Sequence, residues 1–182
     1  MKRITFLCVL LILASIDILA QQNLYRVRKG SVDFLSDAPL ELIKATSDKL
    51  QGLIDPAKQT FAFTIPTASF KGFNSPLQQE HFYENYLEEK VYPQSKFEGK
   101  IIEQIDFSRD GNYTIRAKGK LNIHGVEQER IIKVRMRILK GVISADAVFT
   151  VILQDHEITI PKVVFQKIAE EIKITVTAEF TK

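Results

Sequence analysis

The chain has no tryptophan, one cysteine and three histidines among 182 residues. A single thiol, Cys8, excludes an internal disulfide framework and any thiolate metal centre. The imidazoles, His81, His124 and His156, are scattered and form no H-E-x-x-H pair, the spacing a zinc hydrolase uses to put two ligands on one helix face. Asp155-His156-Glu157 is the most ligand-like run. Successive strand residues point to opposite faces, however, so packing or turn roles compete with metal binding at all three histidines. Glycine is sparse, at eight residues, and none builds a phosphate-cradling loop or the G-x-S-x-G turn that exposes a nucleophilic serine. The excess of basic over acidic side chains is only +3, too small and dispersed for a nucleic-acid surface. No catalytic constellation, cofactor motif or metal site follows, so the reading is of a non-enzyme without a cofactor or nucleic-acid partner.

Long apolar runs are also few. The longest, Ile4–Ile16, follows Lys2 and Arg3 and precedes Asp17-Ile18-Leu19-Ala20. A basic start, an apolar middle and a small closing residue are the parts of a secretory signal peptide. A membrane span needs roughly 20 apolar residues, and Asp17 interrupts this run sooner. Residues 1–20 are therefore expected to be a signal peptide cleaved after Ala20, with an uncleaved anchor as the alternative. Removing 20 of the 182 residues leaves a domain of 162, residues 21–182, without cysteine. An exported domain of this kind has to stand on its hydrophobic core, as a bacterial periplasmic or secreted protein would. No stable membrane insertion of the mature chain is expected.

What the chain has in abundance is period-two alternation. Tyr113, Ile115, Ala117, Leu121 and Ile123 alternate with Thr114, Arg116, Lys118, Lys120 and Asn122. Ile132, Val134, Met136 and Ile138 alternate with Ile131, Lys133, Arg135 and Arg137; Ile172, Ile174, Val176, Ala178 and Phe180 alternate with Lys173, Thr175, Thr177 and Glu179. This is the pattern of strands with one buried face. Residues 97–153 read as a four-stranded meander, with Phe97 to Phe107 as its first strand. Asp110-Gly111-Asn112, His124-Gly125 and Lys140-Gly141 are its turns. Tyr25–Leu35, with an irregular middle at Lys29-Gly30, Lys49–Ile54 and Thr60–Ile65 add further strands. Short helices are expected over Ala38–Lys44, Ser75–Glu89 and Pro161–Glu171, each with proline near its start.

About eight antiparallel strands with short helices in the connections predict an all-β, lipocalin-like barrel. An outer-membrane barrel is the alternative, and would turn the charged faces toward the lumen. The inward positions are rich in aromatics. Phe61, Phe63, His81, Phe82, Tyr86, Phe97, Ile101, Tyr113, Ile115 and Phe149 are the candidate ligand-lining residues, and Phe165 is a further inward aromatic. The same side chains can equally fill a solid core. Small residues at Gly99, Ala117, Gly119, Ala145 and Ala147 leave room for an apolar chain, each buried methylene of which contributes about 0.8 kcal/mol.

Several stretches carry a resemblance. Ser31-Val32-Asp33-Phe34, Gly52-Leu53-Ile54-Asp55, Gln79-Glu80-His81-Phe82 running to Tyr92-Pro93, Phe97-Glu98-Gly99-Lys100-Ile101 and, most specific, Gly119-Lys120-Leu121-Asn122-Ile123-His124-Gly125-Val126 resemble the YceI-like family of lipid- or polyisoprenoid-binding domains. The chain departs from it at Gln79-Glu80 and Gln154-Asp155, where many members carry Arg-Asp and Asp-Arg pairs. The resemblance implies a secreted barrel whose partner is an isoprenoid or other lipid. It implies His81 in a helical connection beside the barrel and His124 in a hairpin turn. A structural or stress-related envelope protein with a filled barrel, and an enzyme resting on the histidines, are the other readings.

Overall fold

The computed structural model describes residues 23–182. The signal peptide, its cleavage after Ala20 and Cys8 lie outside the described residues. Nine strands are found within them: β1 (Tyr25–Asp37), β2 (Leu42–Ser47), β3 (Gln51–Asp55), β4 (Thr60–Pro66), β5 (Gln94–Ile101), β6 (Gly111–Ile123), β7 (Val126–Leu139), β8 (Val142–Ile152) and β9 (Glu171–Thr181). They form one antiparallel sheet that closes on itself through β1 and β9. Eight strands make the barrel. The ninth, β2, pairs with Val32–Asp37 of β1, above the short stretch where β3 pairs with Tyr25 and Arg26.

The alternation of the sequence becomes the inside and outside of the wall. Ile115, Ala117 and Leu121 of β6 and Ile132, Met136 and Ile138 of β7 are buried, while Arg116, Lys118, Lys133, Arg135 and Arg137 are exposed. Apolar faces thus point inward, opposite to the arrangement of an outer-membrane barrel. Curvature comes from local irregularities. The β1–β9 register shifts between Val27 and Lys29, a bulge that coils the strand where the sequence reads irregularly. Gly99 and Gly119 face one another across β5 and β6. A Cβ on Gly99 would lie 2.1 Å from the Lys118 carbonyl oxygen, and one on Gly119 2.2 Å from that of Glu98. Only paired glycines let the two backbones approach so closely at a bend.

The His124-Gly125 and Lys140-Gly141 hairpins are as expected, both residues of each having positive φ (53° and 77°; 51° and 77°), which suits the twist of two-residue turns. Five expectations need correction. Ala38–Lys44 is not a helix: Ala38 and Glu41 close a turn by reciprocal backbone hydrogen bonds of 3.1 and 3.3 Å, and β2 follows. Pro39 and Glu41 imitate a helix start, but Ile43, Ala45 and Ser47 are inward at every second residue, and so short a helix has little intrinsic stability. The Phe97–Phe107 strand ends at Ile101, and Asp110-Gly111-Asn112 is no hairpin turn. Instead residues 102–110 loop under the barrel, with the Gln59 side chain donating to the Ile105 carbonyl (2.9 Å) and accepting from its N–H (3.2 Å). The Ser75–Glu89 helix is α-helical only over Pro76–His81, here α1, and continues as a π-turn through Phe82–Tyr86. Pro161–Glu171 contains a single 3-10 turn at Lys162–Val164; the β-branched Val163-Val164 pair resists a helix, and from Glu171 the chain is already β9.

Two apolar clusters divide the interior. At the end holding the β7–β8 hairpin, Tyr25, Ile54, Phe61, Ile101, Phe107, Ile138, Ile143 and Phe180 fill the barrel. Tyr25 hydroxyl donates to the Phe107 carbonyl (3.3 Å), closing this end beneath the loop. At the opposite end Val32, Phe34, Ile43, Ile65, Phe70 and Ile172 form a second cluster, over which α1 and its π-turn lie.

Candidate functional site

Between the two clusters the barrel encloses a cavity of about 500 Å³. Its deep walls are apolar: Ile115 and Ala117 from β6, Ile132 and Met136 from β7, Ala145, Ala147 and Phe149 from β8, and Ile174 and Val176 from β9. Polar side chains gather at the mouth, where Glu41, Gln78, His81 and Lys167 border the opening. Ala145 and Ala147 on β8 put little side-chain volume into this space, and an interior that is not filled to close packing leaves a void.

Two aromatic groups frame this space. Phe61 lies 4.8 Å from Phe97 and 5.5 Å from Phe63, whose ring is 5.7 Å from Phe180 (centroid distances). At the mouth Phe82 stacks on Phe34 at 5.1 Å and meets Phe73 at 5.0 Å and Phe70 at 5.7 Å. The lid that carries Phe82 starts with Ser75, whose hydroxyl accepts from the Gln78 N–H (3.1 Å), and Pro76 as first helical residue, the cap and proline read in the sequence. The wider π-turn brings Phe82 and Tyr86 to one face, and burial pushes the Tyr86 hydroxyl pKa up. The lid is tied down by Gln78 to Glu41 (2.9 Å), Asn74 to the Leu42 carbonyl (2.9 Å) and Tyr83 to the Phe70 carbonyl.

Nine of the ten candidate residues border the cavity: Phe61, Phe63, His81, Phe82, Tyr86, Phe97, Ile101, Ile115 and Phe149. Tyr113 does not. It shares the parity of Ile115, but β6 spans the whole height of the barrel and its first residues lie past the filled end. There the Tyr113 hydroxyl donates to the Arg109 carbonyl (2.9 Å). Phe165 is not inward either, being 63% exposed on the loop before β9. Sequence reading missed Phe34, Phe70 and Phe73. Phe34 was available from the β1 alternation; Phe70 and Phe73 lie in a segment without regular period.

The other two histidines stand apart from the cavity. His124 Nδ1 donates to the His156 carbonyl (3.1 Å), and its Nε2 lies 2.9 Å from Glu88 Oε2. With Tyr92 edge-on at 4.8 Å, His124 fastens the strap after the lid to the β6–β7 hairpin. His156 is fully buried and its Nδ1 donates to the Val126 carbonyl (3.1 Å). Burial holds its pKa below the ordinary imidazole value. Among the described residues no three His, Cys, Asp or Glu side chains converge as a metal-ion site, and no helix is long and apolar enough to cross a membrane.

A closed antiparallel barrel with one end filled, a void in the middle and a lid over the other end defines the class of single-ligand β-barrels. Within it, residues 31–180 match the YceI-like domain, and the chain belongs to that family. Among solved structures it is similar to a polyisoprenoid binding domain from Saccharophagus degradans implicated in plant cell wall breakdown, with TM-score 0.72 and 12% identity over 86% of this chain and 97% of that one. It is also similar to BcnA of Burkholderia cenocepacia (TM-score 0.67, 20% identity, 82% and 95% covered) and to a Campylobacter jejuni YceI protein (0.57, 17%, 74% and 82%). No curated protein matches by sequence. At these identities the likeness to solved structures concerns the fold.

Proposed function

We propose that this protein is an exported, non-catalytic lipid carrier that holds a polyisoprenoid or similar long apolar chain inside the barrel. The observation that carries the reading is the cavity of about 500 Å³, lined predominantly by apolar side chains and bordered by Gln78, His81 and Lys167 at its mouth. An apolar tail gains affinity there from desolvation alone, and a polar head group stays near Gln78, His81 and Lys167. The volume falls within the 300–1,000 Å³ usual for ligand sites, which disfavours a filled envelope barrel. Membership of the YceI-like family and the fold shared with a polyisoprenoid binding domain support the same ligand class. The candidate contacts are the nine residues bordering the cavity. Export rests on the leader-like residues 1–20, and residues 21–182 are the lipid-binding domain.

The test is organic extraction of the protein purified from its native envelope, followed by mass spectrometry. A stoichiometric apolar lipid is expected, together with an intact protein mass lacking residues 1–20. Absence of lipid, with no uptake of added all-trans-retinol, would refute the carrier reading.

A further inference from the structure

β7 and β8 leave the Lys140-Gly141 hairpin as a regular ladder, from Leu139↔Val142 to Val134↔Ala147. There the pairing stops, although β7 continues over Val126–Lys133 and β8 over Val148–Ile152 toward the mouth. On their far sides both strands stay paired, β7 with β6 up to Ile123↔Val126 and β8 with β9 up to Ile152↔Glu171. The wall is therefore split along one seam in the half that contains the cavity. By the alternation of an antiparallel ladder, backbone groups of Glu129, Ile131 and Lys133 face the seam from one side, and those of Val148, Thr150 and Ile152 from the other.

Side-chain struts stand where ladder bonds would be. Arg130 donates to the Thr150 carbonyl (3.1 Å), and Gln128 to the Asp155 carbonyl (2.6 Å) at the seam's upper corner. The inner lips, Ile132, Val134, Ala147, Phe149 and Val151, border the cavity. The outer lips carry apolar side chains among polar ones: Ile131 is 59% exposed, Val148 53% and Ile152 37%, interleaved with the exposed Glu129, Lys133 and Thr150. Apolar side chains thus stand on both faces of the wall along the seam, with Arg130 spanning it.

We propose that this seam is a lateral port through which the hydrocarbon chain of a lipid passes between the cavity and the outer surface, with Arg130 as its strut. The inference rests on the reading of the cavity as a lipid site. Passage here separates strands that share no backbone hydrogen bonds. Passage at the mouth runs past the lid, which the ties from Gln78, Asn74 and Tyr83 and the aromatic stack on Phe82 hold down. The port also lets a tail leave the barrel while a head group stays under the lid.

A reversible staple tests the port: K133C/V148C in a Cys8→Ser background, followed by stopped-flow fluorescence of all-trans-retinol. Oxidation is expected to slow loading and release by about ten-fold or more without changing the bound amplitude at saturation, as for a blocked gating step. Reduction restores both rates. Equal rates in the oxidised and reduced forms overturn the port and leave the carrier reading intact; no retinol bound by the wild-type protein, with no lipid extracted from it, overturns both. Arg130→Ala keeps the test open without a new disulfide. Faster release than wild type supports the strut, and unchanged release overturns it.

Discussion

The two halves of the barrel are built from the same strands with the same alternation, yet one is solid and the other hollow. In the closed half the inward positions of β1, β3, β7, β8 and β9 carry Tyr25, Ile54, Ile138, Ile143 and Phe180, all 2% exposed or less. In the open half β8 presents Ala145 and Ala147 inward, and the aromatics that might have filled the space are held at its rim by the lid. Side-chain volume, not topology, decides which half is core and which is site.

That contrast can be broken most forcefully at the solid end. Phe180→Ala removes a ring packed against Phe63 and is expected to cost about 3–5 kcal/mol, read as a lowered urea midpoint with unchanged slope. The same truncation at the hollow end, Phe82→Ala, is expected to cost only about 1–2 kcal/mol, because the site is partly open already, while weakening retinol uptake. Ala147→Phe sharpens the comparison from the other side. Overpacking a filled core costs about 1–3 kcal/mol, but here the ring enters a void, so stability should change by less than about 1 kcal/mol while retinol binding is lost.

A smaller effect is expected at His156, next to the seam. Burial holds its pKa below the ordinary imidazole value, so the unfolded chain takes up a proton that the folded chain refuses. Stability is then full above the ordinary imidazole pKa and falls as pH drops through it. Urea unfolding between about pH 7.5 and 5.5 should show this decline, and His156→Gln should flatten it. The smallest change is expected on the outer wall, where Lys133→Gln should leave stability within about 0.5 kcal/mol.

Much of this was legible from residues alone. Strands β6 to β9, their glycine hairpins and the bulge near Lys29-Gly30 followed from period-two alternation and turn chemistry, which are local. The cap at Ser75 and Pro76 was local too. What failed was the reading of short segments with borrowed signals: Pro39 and Glu41 suggested a helix where Ile43, Ala45 and Ser47 are fixed inward by pairing with β1. Ile105 and Phe107 keep the parity of a strand but plug the barrel from a loop. The site was legible in kind, through inward aromatics and small residues. It was not legible in extent, since Tyr113 and Ile115 are indistinguishable by parity and differ only in height along β6.

By itself the sequence determined which face of each long strand is apolar, where the hairpins turn and, through family membership, the kind of barrel formed. The tertiary structure alone decided how deep the filled end reaches, that Phe34, Phe70, Phe73 and Phe82 meet under a lid, and that β7 and β8 part above Val134. The reason is physical. Alternation and turn propensity act over a few residues, whereas a void, a lid contact and an unpaired seam arise between segments far apart in the chain, whose separation is fixed only when the barrel closes.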